Sequence, residues 1–415
     1  MSDTKSTGEG RIGQGRRPAP ATGIHRITTD AEAIEVATKL AARFATEAAR
    51  RDRERLLPWD EIEAYNASGL GAITVPKAYG GPELSFVTLV HVFEILCAAD
   101  PSLGQIPQNH FGVLALLRDL GTEEQKQRFY ADILRGERIG NAGPERGRKM
   151  ISHVTTRITA KPGGLRLTGR RFYSTGALFA HWIPTRAVDD EGCAVQVWAR
   201  FDSPGVTVID DWSSFGQRTT ASGTVEFDDV PVEPIQVLPV WSAADRPGLW
   251  GPISQLIQAA IDAGIARAAI DDATAFVRDR ARPWMDSGVQ RAADDPTIIH
   301  EIGRLETEFE AAQLLLHHAA AVLDQLSAQP VTAETSAQAS VAVAEAKILT
   351  TEIALEASEK LFDLAGSSAT RSAHALDRHW RNARVHTLHD PVRWKYHLLG
   401  NYYLNGAYPA RHQWN

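Results

Sequence analysis

Between Leu376 and Lys395 the chain reads Leu-Asp-Arg-His-Trp-Arg-Asn-Ala-Arg-Val-His-Thr-Leu-His-Asp-Pro-Val-Arg-Trp-Lys, with four arginines, three histidines and two tryptophans. A solvated helix face does not explain this mixture, because Trp380, Val385 and Leu388 ask for burial beside titratable groups, which is the company a site keeps. Arg378, Arg381 and Arg384 recur at helical spacing, and Pro391 blocks continuation of the helix. His386, His389 and Asp390 therefore fall where a helix ends and a pocket begins. An imidazole there exchanges protons near neutrality, and a carboxylate there accepts an α-proton; both chemistries stay open on the residues alone.

The other chemistry-bearing residues are scattered. His110 follows Ser102-Leu-Gly-Gln-Ile-Pro-Gln-Asn, and a histidine beside Phe111 is by itself more often a core residue than a catalyst. Ser174 and Thr175 offer hydroxyls at a strand end, where ordinary strand-to-turn residues also stand. Trp212 reads equally well as a core aromatic. His317 and His318 join the C-terminal histidines as conceivable metal ligands, but no HExxH or carboxylate-bridge motif accompanies them, so no metal is expected.

The elements that must position these groups follow from periodicity. Helical spacing starts at Asp30 and runs through Ile34, Ala37, Leu40, Ala41, Phe44 and Ala48. Further helices are expected over Pro58 to Ser68, Ser85 to Ala99 and Pro101 to Leu120, then after a Thr122-Glu-Glu-Gln125 capping box. From about 139 to 235 the period changes to two. Gly163-Gly164 marks a hairpin, and strands are expected at 194–201, 206–209 and 224–227. Helical pattern returns over Ile253 to Asp279, Ile298 to Leu326 and Thr332 to Ala365, where Gly366-Ser-Ser-Ala-Thr370 breaks it. The expected organisation is an arm at 1–24 that is disordered or lies on another subunit, a helical domain at 25–138, a β domain at 139–238 and a helical bundle at 239–415.

Composition narrows the function classes. A net charge of −7 gives no electrostatic reason to expect nucleic acid or anionic membrane as a partner. Cys97 and Cys193 are the two cysteines, too few for a disulfide framework or thiolate metal site. No apolar run reaches membrane-spanning length and the N-terminus lacks an apolar signal core, so a cytoplasmic enzyme is expected.

Ordered motifs then carry a resemblance. Val75-Pro-Lys-Ala-Tyr-Gly-Gly81 closely resembles the Val-Pro-Glu-Xaa-Tyr-Gly-Gly loop of acyl-CoA dehydrogenases, and Arg381-Asn-Ala-Arg384 resembles their Arg-Asp-Ala-Arg. Where that family carries Tyr-Glu-Gly with its catalytic glutamate, this chain has His389-Asp-Pro391. The replacement looks like the flavin-dependent monooxygenase branch, typified by dibenzothiophene monooxygenases and bacterial sulfur-acquisition oxidoreductases. The resemblance implies an α+β, mainly α, acyl-CoA dehydrogenase fold ending in a four-helix bundle, assembled as a homotetramer. It implies a two-component enzyme that takes reduced FMN from a separate NAD(P)H:flavin reductase and oxygenates an organosulfur compound. His110 and His389, with Asp390, would be the active groups. Asn141 and Ala142 occupy the flavin-loop position, Ser174 and Thr175 follow, and Trp212 would line the flavin or substrate pocket. Arg282 matches the arginine that contacts flavin phosphate, and Ser367 and Ser368 stand in the glycine-loop position. The loop lacks the flanking Gln and Tyr, and Pro144-Glu-Arg-Gly147 replaces the usual Thr-Glu-Pro followed by Gly-Ser-Asp, so FMN is expected over FAD and acyl-CoA recognition is not. The alternative is an FAD-dependent acyl-CoA dehydrogenase or oxidase with Asp390 as base.

Overall fold

The computed structural model describes residues 11, 12, 16–19, 22–147, 154–243 and 245–415. Most of the expected arm lies outside them. Two compact units divide the chain: a β unit made of the described residues of Met1–Pro20, Glu137–Ser213 and Ala221–Trp241, and a helical unit of Ala21–Gly136, Ser214–Thr220 and Ser242–Asn415. The helices before and after the β segment fall in one compact unit.

In the helical unit, the first part contains α1 (Asp30–Ala45), α2 (Ala48–Glu54), α3 (Trp59–Ala67), α4 (Phe86–Ala99), α5 (Pro101–Gln105), α6 (Gln108–Leu120) and α7 (Glu123–Leu134). The second part contains α8 (Trp250–Asp279), α9 (Pro296–Ser327), α10 (Ala333–Ala365), α11 (Asp377–His386) and α12 (Arg393–Asn405). Local chemistry sets the starts. Thr29, Ser85, Asp295 and Thr332 each accept a first-turn amide, and Thr122 with Gln125 closes the reciprocal box read from the sequence. The helix expected from Pro101 to Leu120 is in fact two, because Pro107 has no amide to give and divides α5 from α6.

α8 is buried on most of its length, and its Ala, Ile and Gly content lets neighbours approach from several sides. At Gly264 a side chain would meet Cβ of Cys97 at 2.7 Å and the carbonyl of Glu94 at 2.8 Å, so glycine is what allows α4 against α8. Each Ile or Leu buried in this core contributes about 1.5–3 kcal/mol. Among the described residues no helix is long and apolar enough to cross a membrane.

The β unit is one sheet formed by β1 (Arg11–Ile12), β2 (Arg157–Lys161), β3 (Gly164–Arg171), β4 (Trp182–Val188), β5 (Ala194–Arg200), β6 (Val206–Asp210), β7 (Thr224–Val232) and β8 (Val237–Leu238), in the order β1-β6-β7-β3-β2-β4-β5-β8. The Gly163-Gly164 hairpin joins β2 to β3 with Lys161 opposite Gly164, and both glycines have positive φ. Arg11 and Ile12 of the expected arm pair with Asp210 and Ile209 as an edge strand.

Candidate active site

The residues singled out at the C-terminus take two different roles. Along α11 two of the three arginines are tied down: Arg378 donates to Asp272 at 2.9 Å, and Arg381 pairs with Asp52 and Asp377 and donates to the Phe215 carbonyl at 2.7 Å. Trp380 and Leu388, expected to be buried beside the titratable groups, keep 41% and 65% of their surface. Trp380 instead stacks on Phe215, ring centres 6.0 Å apart. The helix ends at His386, as Pro391 requires.

Beyond that end lies a chain of polar groups. His386 is fully buried, and its Nδ1 meets Asp262 Oδ1 of α8 at 2.5 Å. The other oxygen of Asp262 accepts from Lys347 Nζ at 3.0 Å and Thr351 Oγ1 at 2.9 Å, both on α10. Burial opposes ionisation of Asp262, yet Lys347 and His386 overcome it and hold its carboxyl well below the usual range. His389 follows one turn on, its ring centre 4.8 Å from that of His386. Its Nδ1 lies 2.6 Å from the His386 carbonyl and its Nε2 3.0 Å from Gln105 Nε2, at the end of α5. A carbonyl only accepts and an amide nitrogen only donates, so this network assigns the proton to Nδ1 and the lone pair to Nε2. The protein around the ring and, next, His386 push the pKa of His389 down to about 4, while water still reaches its edge. The neutral imidazole therefore prevails at neutral pH, contrary to the sequence expectation of titration near neutrality.

Asp390, unlike His389, is shielded from water. It is buried, with Oδ2 3.7 Å from Lys395 Nζ, while Oδ1 has no hydrogen-bond partner among the described residues. Lys395 also donates to the Trp414 carbonyl and, at 3.2 Å, to Asn415 Oδ1; burial, partly offset by Asp390, pushes its pKa down to about 8. His110 is buried on α6, and its Nε2 lies 2.7 Å from the Gly71 carbonyl, which fixes the ring. Through Gln105 the structure ties His389 to the α5–α6 stretch that carries His110. Arg282 stands exposed three residues past α8, without an ion pair among the described residues, and Ser367 and Ser368 are exposed beyond α10.

In the β unit, the Gly140-Asn-Ala-Gly143 loop is clipped to β4. Gly140 N donates to Trp182 O at 2.9 Å and Ala142 N to Pro184 O at 3.0 Å, while Ala142 O accepts from Thr185 Oγ1 at 2.8 Å. The Asn141 amide reaches only 3.4 Å from the Tyr173 carbonyl. Ser174 N donates to Gly223 O at 3.2 Å, its buried hydroxyl has no partner among the described residues, and Thr175 Oγ1 is committed to Ser222 Oγ at 2.7 Å. Phe172, Tyr173 and Trp212 cluster beside them at centroid distances of 4.8 to 6.2 Å, Tyr173 edge to face with the other two and 51% exposed. Glu145, in the charged segment that departs from the acyl-CoA pattern, is an anchor. It accepts from the amides and hydroxyls of Thr155 and Thr156 at 2.8 to 2.9 Å. Burial would raise its pKa, but these bonds, led by the Thr156 amide, hold it at about 2.

These groups fit a flavin unit by unit. The aromatic patch, the uncommitted Ser174 hydroxyl and the loosely held Asn141 amide suit a flat ring with polar edges, and an unpaired Arg282 suits a phosphate. Sequence reasoning missed Asp262, Lys347, Gln105 and Lys395. The signal for the first two was a lone charge among the small and apolar residues of Ile261-Asp-Ala-Gly264 and Ala346-Lys-Ile-Leu349.

Residues 30–137 match the model of the acyl-CoA dehydrogenase N-terminal domain and residues 256–394 that of the C-terminal domain. The chain is 32% identical to a dibenzothiophene monooxygenase of Rhodococcus qingshengii, the alignment covering 92% of this chain and 96% of the relative. It is 30% identical to the probable FMNH2-dependent monooxygenase SfnC of Pseudomonas putida, over 91% of this chain and 96% of that one. The FMN-bound crystal structure of TdsC from Paenibacillus sp. A11-2 superposes with a TM-score of 0.88 at 32% identity, covering 92% of this chain and all of that one.

Proposed function

The chain belongs to the acyl-CoA dehydrogenase family, on its flavin-dependent monooxygenase side, and from that premise we propose that it is a two-component monooxygenase that oxygenates an organosulfur compound in sulfur acquisition. It takes reduced FMN from a separate NAD(P)H:flavin reductase in the cytoplasm and works as a homotetramer. The observation that carries this reading is the contrast at the helix end. The exposed, neutral imidazole of His389 presents an open edge, whereas the Asp390 carboxylate, which a dehydrogenase would need as base, is buried against Lys395.

Bound FMN supplies, in its reduced form, the electrons that activate oxygen. The chain's own residues orient and protect that chemistry. Within the β unit, Ser174 and Asn141 would hold the ring over the loop that Ala142 clips to β4, with Trp212 as a lining aromatic and Thr175 bracing the turn through Ser222. Within the helical unit, Arg282 would hold a phosphate, and Ser367 and Ser368 would line the loop beyond α10. His389 holds a proton at Nδ1 and receives one at Nε2, and His110, fixed by the Gly71 carbonyl, is the second imidazole.

One pair of assays tests the class. The purified protein should consume oxygen when given reduced FMN and an organic sulfide or sulfoxide, and should show little dehydrogenation of acyl-CoAs with an artificial electron acceptor. Robust acyl-CoA turnover would return the chain to the FAD-dependent alternative with Asp390 as base. Isolation adds a second check: the protein should emerge largely free of flavin, and FAD co-purifying at one per subunit would speak for that alternative.

A further inference from the structure

Away from the groups assigned above, α4 and α9 bring together three side chains that no flavin chemistry uses. His91 and Glu94 lie one turn apart on α4, and His317 reaches them from α9, 223 positions from Glu94. Glu94 Oε2 is 3.4 Å from His91 Nδ1 and 2.9 Å from His317 Nε2, and the three donor atoms all lie within 4.8 Å of one another. The two imidazole rings are tilted 57° to one another with centres 4.4 Å apart. The second carboxylate oxygen, Oε1, accepts from Gln313 Nε2 at 2.9 Å.

We propose that His91, Glu94 and His317 form a binding site for a zinc-class divalent cation that clamps α4 to α9. Two imidazoles and one carboxylate are the ligand types borderline cations take, and three protein ligands leave a fourth position for water. The side chains of His91 and His317 remain 36% and 27% exposed while that of Glu94 is 10% exposed, so the fourth position opens outward and the anion lies on the inner side. Separations of 2.9 and 3.4 Å between donor atoms approach what ligands sharing one ion at roughly 2.0–2.2 Å adopt, so a cation entering among them displaces protons rather than helices. Gln313 plays the outer role expected at such a centre: it holds the non-ligating oxygen and thereby aims the other. No sequence motif announces the site, because its ligands come from two helices distant in the chain.

The test is calorimetric titration of the full-length, tag-free chain, stripped with a chelator, with zinc chloride. One ion should bind per chain and raise the thermal midpoint, and cobalt in its place should give the visible absorption of a tetrahedral centre. The double variant H91A/H317A should lose the one-to-one event and the thermal shift, with circular dichroism confirming its fold. The variant Q313A keeps all three ligands and should weaken binding roughly 10–100-fold. Absence of binding to the parent chain, or equal affinity in H91A/H317A, overturns the proposal. Because the readout contains no flavin, it stands or falls independently of the monooxygenase assignment.

Discussion

His389 is the residue on which the proposed chemistry turns, and its position was legible from the sequence because Pro391 limits how far α11 can run. Its protonation was not legible, since the partners come from elsewhere: the His386 carbonyl one turn back and Gln105 from 284 positions away. The Oε1 atom of Gln105 is buried without a partner among the described residues. Rotating that amide would present Oε1 to a protonated Nε2, so Gln105 can accompany His389 through both charge states. His389→Ala should lower oxygenated product by on the order of 10² to 10⁴ and release hydrogen peroxide, while Asp390→Asn should do less. The reverse order in a product-to-peroxide assay would move the role to Asp390. The depressed pKa also carries a stability sign. His389 titrates near 6.5 when unfolded and about 4 when folded, so the unfolded chain binds the proton more readily between those values. Its contribution is present above pH 6.5 and lost as pH falls toward 4; urea midpoints measured across that window should fall less steeply in His389→Ala than in the parent.

At the scale of elements, Asp262 joins three helices: it sits on α8, takes Lys347 and Thr351 from α10 and His386 from α11. Replacing it by Asn leaves Lys347 buried without a counter-charge, which should cost about 3–5 kcal/mol in equilibrium unfolding. Replacing both charges, Asp262→Leu with Lys347→Met, should recover much of that loss, and no recovery would mean that packing, not charge, fixes the joint. Helix boundaries were well marked in the sequence because caps are local; Thr122, Thr332 and Ser85 each sit one residue before the helix they start. β4 was not marked. It is buried along nearly its whole length, so the alternation that betrays a half-buried strand is missing. The division of Pro101–Leu120 into α5 and α6 was visible in Pro107 but outweighed by the apolar run on either side.

For the whole molecule, the sequence suggested three modules because its periodicity changes twice along the chain, yet periodicity does not reveal which distant helices share a core. Gly264 does reveal it in retrospect: a residue without a side chain in the middle of α8 marks where α4 closes in. The helical unit also leaves apolar surface uncovered on and around α12: Leu388, Trp394, Tyr403 and Leu404 keep 65%, 59%, 66% and 84% of their surface. A lone soluble chain rarely leaves so many large apolar groups in one region exposed, and the proposed homotetramer gives them a partner surface. Sedimentation equilibrium should accordingly give four times the mass of one chain, 45.4 kDa. Leu404→Glu, which puts a charge where 84% of the leucine is open in the single chain, should leave that chain folded but shift the population toward smaller species. Because assembly stabilises by mass action, the thermal midpoint of the parent should also rise with protein concentration while that of Leu404→Glu changes less. A parent chain that sediments as a monomer at every concentration would remove the tetramer from the proposed function and leave the α12 region as open surface.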